Sequence, residues 1–143
     1  MTTEASQAGW ATVAVLAGRL IFAALFIMAA SFKLMDINGT AGYIASVGFP
    51  LPKLLACLAA LLELAIIAGF LTGAYFSEAA LVAAAYVLFL AFSFHGPSHW
   101  AGSQAEFGFF VDHFTFVAGL LFAAAHGPGR VLAMKRGWIS EAQ

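Results

Sequence analysis

Six basic residues, seven acidic ones and four histidines are all the ionisable chemistry in this chain of 143 residues. Arg19 and Glu63 stand out because each lies well inside an apolar run, where a charged side chain costs about 2.5–3.5 kcal/mol on insertion scales. Some partner must offset that cost. With the two runs antiparallel and a rise of about 1.5 Å per residue, Arg19 lies about 12 Å and Glu63 about 15 Å from the end of the bundle they share. The matched depths predict a structural ion pair that fixes the first helix against the second. The alternative for the same residues is a proton or ligand site at mid-membrane.

A second group collects towards the opposite end, where Lys33, His95, His99, Glu106, Asp112 and His113 fall at similar depth. Histidine exchanges protons near neutral pH, and imidazoles with carboxylates can handle the carbonyl oxygens and protons of a quinone head group. In that arrangement Lys33, His95, Asp112 and His113 form the binding site. Asp112 orients the ligand or accepts its proton, His95 or His113 touches it, and Lys33 favours the anionic form of Asp112. A metal or haem is the alternative, because imidazoles from different helices can ligate iron, with His95, His99 and His113 as the ligands. Pro97 interrupts the helix between His95 and His99 and weakens that pair. His126 has no second histidine beside it, which excludes two stacked haems. The plainest option is decoration of the membrane interface by snorkelling side chains.

The last apolar run adds a pattern of its own. Gly108, Asp112, Thr115, Gly119, Phe122 and His126 recur at steps of four and three, which predicts a stripe of small and polar groups facing the bundle interior. Tyr86, Phe89, Phe92 and Phe94, with Phe109, Phe110, Phe114 and Phe116, predict aromatic walls that fill the core, face lipid or hold a flat ring.

The elements that must carry these residues follow from composition. The chain is 63% hydrophobic and 9% charged with a mean hydropathy of +0.95, whereas soluble domains run near ~45–50% apolar and ~25% charged. A water-soluble globule is excluded. Charges, prolines and glycines divide the chain into four apolar segments, Ala11–Leu34, Leu51–Gly73, Ser77–His95 and Phe107–His126. Each is long enough to cross a hydrocarbon core of ~30 Å. The expected fold is all-α, an integral membrane four-helix bundle forming one domain over residues 1–143.

The first connection, Met35–Pro50, is rich in turn-forming residues and is expected to be a loop or a short re-entrant piece. The second is so short that the helices it joins must be antiparallel neighbours. Arg130, Lys135 and Arg136 on the side of the termini outnumber Lys33 and Lys53 near the first connection, which favours cytoplasmic termini. Trp10, Tyr75, Trp100 and Trp138 sit close to segment ends, where an aromatic belt places them.

Other classes of function drop out on the same grounds. A net charge of −1 with no basic run lacks the electrostatic footprint of nucleic-acid binding. Cys57 is the only cysteine, so the chain builds no internal disulfide, no Cys-x-x-Cys pair and no thiolate cluster.

Together the positions resemble the DoxX family of small four-helix bacterial and archaeal membrane proteins. The resemblance rests on Arg19, Phe26 and Lys33 in the first segment, Tyr43, Gly48, Pro50 and Pro52 after it, Glu63 in the second, and Gly127-Pro128-Gly129-Arg130 after the fourth. Ala23 and Ala30 stand where that family often has glycine, and Glu78 lies in a region that is often basic. The resemblance implies a multi-pass protein of the cytoplasmic membrane. It also implies a link, in some members, to quinone-dependent redox systems.

The expectation is therefore a small membrane subunit or accessory of a quinone-linked redox system, in contact with the lipid bilayer and with a partner protein or further copies of itself. A structural or assembly subunit without enzymatic activity is the first alternative. A small-molecule or proton permeation module is the second, with Arg19, Glu63 and the stripe of the last segment lining the path.

Overall fold

A computed structural model describes residues 2–134 and 136–139 of the chain, so Lys135, counted above for orientation, lies outside the described residues. Helix α1 spans Thr2–Met35, α2 Ile37–Ser46, α3 Pro52–Thr72, α4 Phe76–His95 and α5 Gln104–His126, with a 3₁₀ turn at Pro97–His99 before α5. No strand occurs among the described residues. Four of the helices, α1, α3, α4 and α5, are long and apolar enough to cross a membrane, and the protein is an all-α membrane bundle.

Local chemistry sets the helix ends. Pro52 starts α3, where its missing N–H costs nothing because the first amides of a helix have no partner within the helix. Ser103 accepts a hydrogen bond from the Glu106 amide at 3.4 Å, the Ser-x-x-Glu arrangement that begins helices. This cap starts α5 at Gln104, ahead of the expected Phe107. Gly73 ends α3 at φ +76, and a Cβ there would lie 2.9 Å from the Ala133 Cα. Only glycine gives both that backbone conformation and room for the carboxy-terminal tail.

The first connection departs from the expected loop, because ten of its residues form α2. Asp36 caps this helix by accepting from the Gly39 amide at 2.8 Å. Ala41 and Ile44, one turn apart, bury against Ala56 of α3, with Phe49, Leu55 and Phe94 around them. Turn-forming composition hid a short helix whose inner face has only two buried residues.

The main core joins α1, α3, α4 and α5. Ala23, Ala30, Ala80, Ala83 and Ala84 are buried in it, and such small residues let membrane helices approach closely. The largest rings cluster together: Phe22 and Phe26 of α1 stack on Phe70 of α3, while Phe116 of α5 meets both edge-on.

The inner face of α5 differs from the expected stripe. Leu120 and Ala124 are its buried residues, flanked by Phe116, Val117 and Ala123. Asp112, Thr115, Phe122 and His126 are exposed, Phe122 at 78%. Gly119 does face inwards, with its Cβ position 3.1 Å from the Phe22 ring. In a bilayer the outward surface is as apolar as the core, so small and polar spacing alone does not mark the inner side.

Candidate binding site between the helices

Lys33 ends α1, and its stem turns back along the helix, as side chains tilted towards the amino terminus do. Its ammonium lies 3.5 Å from the Ala29 carbonyl and 2.9 Å from Oε1 of Glu63. Glu63, at the middle of α3, is 1% exposed. Its Oε1 also accepts a hydrogen bond from the Tyr86 hydroxyl of α4 at 3.0 Å. Oε2 is buried and has no partner. Three helices thus converge on one carboxylate, half of which is satisfied.

The expected pairing of Arg19 with Glu63 is corrected by this geometry. Arg19 is 2% exposed, and its guanidinium is spent on backbone carbonyls. Nε and Nη2 donate to Phe70 at 3.2 and 3.1 Å, and Nη2 also reaches Leu71 and Leu132 at 3.2 and 3.0 Å. Nη1 donates to Pro128 and Val131, each at 2.9 Å. Phe70 and Leu71 are among the last residues of α3, whose final carbonyls have no partner within the helix. Their level is about 10 Å beyond Glu63 along the helix, seven residues at about 1.5 Å each. The depth count failed because α1 projects past the α3–α4 turn and is covered there by the tail, where Gly129 meets Val15. Helices of similar apolar length need not end level.

Two cavities adjoin the Lys33–Glu63 pair, both bordered by Lys33 and the smaller by Glu63 as well. The smaller, of about 290 Å³, is bounded by Ala29 and Lys33 of α1, Glu63, Tyr86, and Asp112 and His113 of α5, with Phe26 and Phe116 at its floor. The larger, of about 560 Å³, extends under α2 and is lined mainly by apolar side chains such as Ile44, Phe49, Leu58, Leu62, Phe89 and Phe94. Lys33, Tyr86, Leu90 and His113 border both. These volumes are of the order that ligand sites occupy, roughly 300–1,000 Å³.

The remaining polar residues flank this junction. His95 borders the larger cavity, pairs through Nδ1 with Oε2 of Glu106 at 2.7 Å, and lies 5.1 Å from the His113 ring, centre to centre. Its backbone carbonyl accepts from the Trp100 indole at 2.8 Å, which ties the 3₁₀ turn to the end of α4. Nδ1 of His113 lies 2.6 Å from the Phe109 carbonyl, to which it donates because a carbonyl oxygen only accepts. Tyr43 of α2 also borders the larger cavity. Partial burial chiefly, and the Glu106 carboxylate secondarily, hold its hydroxyl above the ordinary phenol value of 10.0, so it remains a neutral donor at physiological pH.

Of the expected quinone-type residues, Lys33, Asp112 and His113 border one cavity and Lys33, His95 and His113 the other. Lys33 is paired with Glu63, not with Asp112. Of the alternative metal set, His95 and His113 approach each other while His99 turns to the Ser98 hydroxyl at 3.2 Å. No group of three His, Cys, Asp or Glu side chains able to hold a metal ion occurs among the described residues. Aromatic and aliphatic walls surround a polar end that holds an ammonium and an imidazole, with the unpartnered carboxylate oxygen buried beside them. Spacing had suggested Tyr86 only as part of an aromatic wall, and neither its bond to Glu63 nor the Lys33–Glu63 pair. The available signal was a lone mid-helix acid within a lysine's reach of the end of its neighbour.

No curated protein and no solved structure matches the chain. The DoxX family model matches residues 14–96, more than half of the sequence, from the inner part of α1 through the end of α4. Arg19, Lys33, Glu63, Tyr86 and His95 all fall within the match, and this multi-pass membrane protein belongs to the DoxX family.

Proposed function

We propose that the protein is a small integral membrane subunit or accessory of a quinone-linked redox system, and that it holds a quinone-type ring where its two cavities meet. The supporting observation is the convergence of Lys33, Tyr86 and His113 on the border of both cavities, beside a buried carboxylate oxygen without a partner. An isoprenoid or alkyl tail suits the larger, apolar cavity, and the ring suits the polar junction. When bound, such a ring supplies two-electron, two-proton chemistry.

The chain's own residues bind and orient the ring. Lys33 offers the ammonium proton that neither Glu63 nor Ala29 takes up. His113 and Asp112 border the same cavity. The permeation alternative has less support, because the Phe22, Phe26, Phe70 and Phe116 cluster fills the core between the Arg19 level and the cavities. The setting proposed is a bacterial or archaeal cytoplasmic membrane with both termini cytoplasmic.

Purification in lipid, organic extraction and an absorption spectrum test this function. Quinone recovered at near one equivalent is expected, with clear loss in His113→Ala and a smaller loss in Asp112→Asn at equal membrane abundance. Absence of quinone from the purified protein, together with no uptake of added quinone, leaves the structural or assembly subunit as the function.

A further inference from the structure

The carboxylate of Glu63 sets what a ligand must bring. It accepts from the Lys33 ammonium at 2.9 Å, and a carboxylate in such a pair only accepts hydrogen bonds. Oε1 is satisfied by Lys33 and Tyr86, whereas Oε2 is buried and has nothing donating to it. Lys33 keeps one ammonium proton beyond those directed at Glu63 and Ala29, and both side chains border the smaller cavity. The ion pair that borders the cavity therefore holds one unmet acceptor, buried in its wall, and one unmet donor.

A carbonyl oxygen meets only half of this demand. It can accept from Lys33, but it leaves Oε2 bare and places two acceptors side by side. A hydroxyl meets both, donating to Oε2 while its oxygen accepts from Lys33. We infer that the site selects the hydroquinone over the quinone form of its ligand, with Glu63 Oε2 as the residue atom that discriminates. This inference rests on the proposed function and narrows it to one oxidation state. Sites built around a hydroxyl reject analogues lacking it strongly, because a buried polar group is then left unpaired.

The test uses the full-length protein in lipid nanodiscs under anaerobic conditions, with a decyl-substituted benzoquinone and the same compound kept fully reduced. Titration calorimetry should give at least tenfold tighter binding of the hydroquinone. Because the reduced form is held more tightly, the midpoint potential of the bound two-electron couple should rise by about 30 mV for each tenfold preference. The double variant Lys33→Met/Glu63→Leu removes donor and acceptor together without leaving a lone buried charge. It should bind both forms within about twofold of each other.

Equal affinity of the unaltered protein for the two forms, as when a water donates to Oε2, overturns the inference and leaves the proposed function standing. Tighter binding of the quinone does the same, as does a tenfold preference that survives in the double variant. Failure of both compounds to bind the unaltered protein overturns the proposed function and the inference with it.

Discussion

Inside the bundle, Glu63 is held by two donors on two other helices, and its value lies in the pairing. Removing one partner of a buried ion pair strands the other charge, whereas replacing both with apolar groups can be nearly neutral. Lys33→Met alone should therefore destabilise the protein by roughly 3–5 kcal/mol, and Lys33→Met/Glu63→Leu by clearly less. Unfolding in mixed detergent measures both, and a double variant as unstable as the sum of the single changes would remove the coupling. Burial of Arg19 and Glu63 was legible in the sequence, because any charge in an apolar run must find a partner. Their partners were not legible: Arg19 satisfies itself on main-chain carbonyls, which every residue has and which composition cannot distinguish. Lys33 was expected beside Asp112, yet its flexible stem carries the ammonium about a turn deeper than its Cα, to Glu63.

Among the elements, the carboxy-terminal tail behaves as a strap over the α3–α4 turn. The Met134 amide donates to the Thr72 carbonyl at 2.8 Å, and the Ile139 amide donates to Oε1 of Glu78 at 2.9 Å. Trp138 packs edge-on against Tyr75. Arg19 is the buckle, since its five N–H groups reach carbonyls in both α3 and the tail. A lysine has three tetrahedral donors in place of a planar fork, so Arg19→Lys leaves at least two carbonyls unmet. The expected cost is roughly 3 kcal/mol from lost charge-assisted hydrogen bonds. Hydrogen exchange at the Met134 amide should accelerate at least tenfold, and exchange unchanged from the original protein would show that the strap holds without Arg19. Four spans were legible from hydropathy because bilayer thickness fixes their length. Helix α2 was not, since its glycine and asparagine content resembles a turn while its helical character depends on an Asp36 cap and two buried contacts. The orientation of α5 was obscured by rings on all its sides.

For the whole molecule, four spans place the start of α1 and the tail at the same end, a geometry already visible in the contact between Arg19 and residues 128–132. Reporter fusions at the carboxy terminus and at Gly48, after α2, should therefore report opposite sides of the membrane, with the carboxy-terminal reporter cytoplasmic. The same side for both would break the four-span arrangement. The large cavity lies under α2, on the side away from the termini, so the ring proposed for it would enter from the outer half of the bilayer if the termini are cytoplasmic.

The buckle also imposes a timetable on biogenesis. Arg19 lies in the first of the four spans, but its partner at Leu132 follows 113 positions later. At synthesis rates of about 5–20 residues per second, the guanidinium waits on the order of ten seconds before its last carbonyls arrive. Until then it is a bare cation in an apolar helix, restrained only by the end of α3 once that helix has inserted. A chain that stops short of the tail never closes this gap.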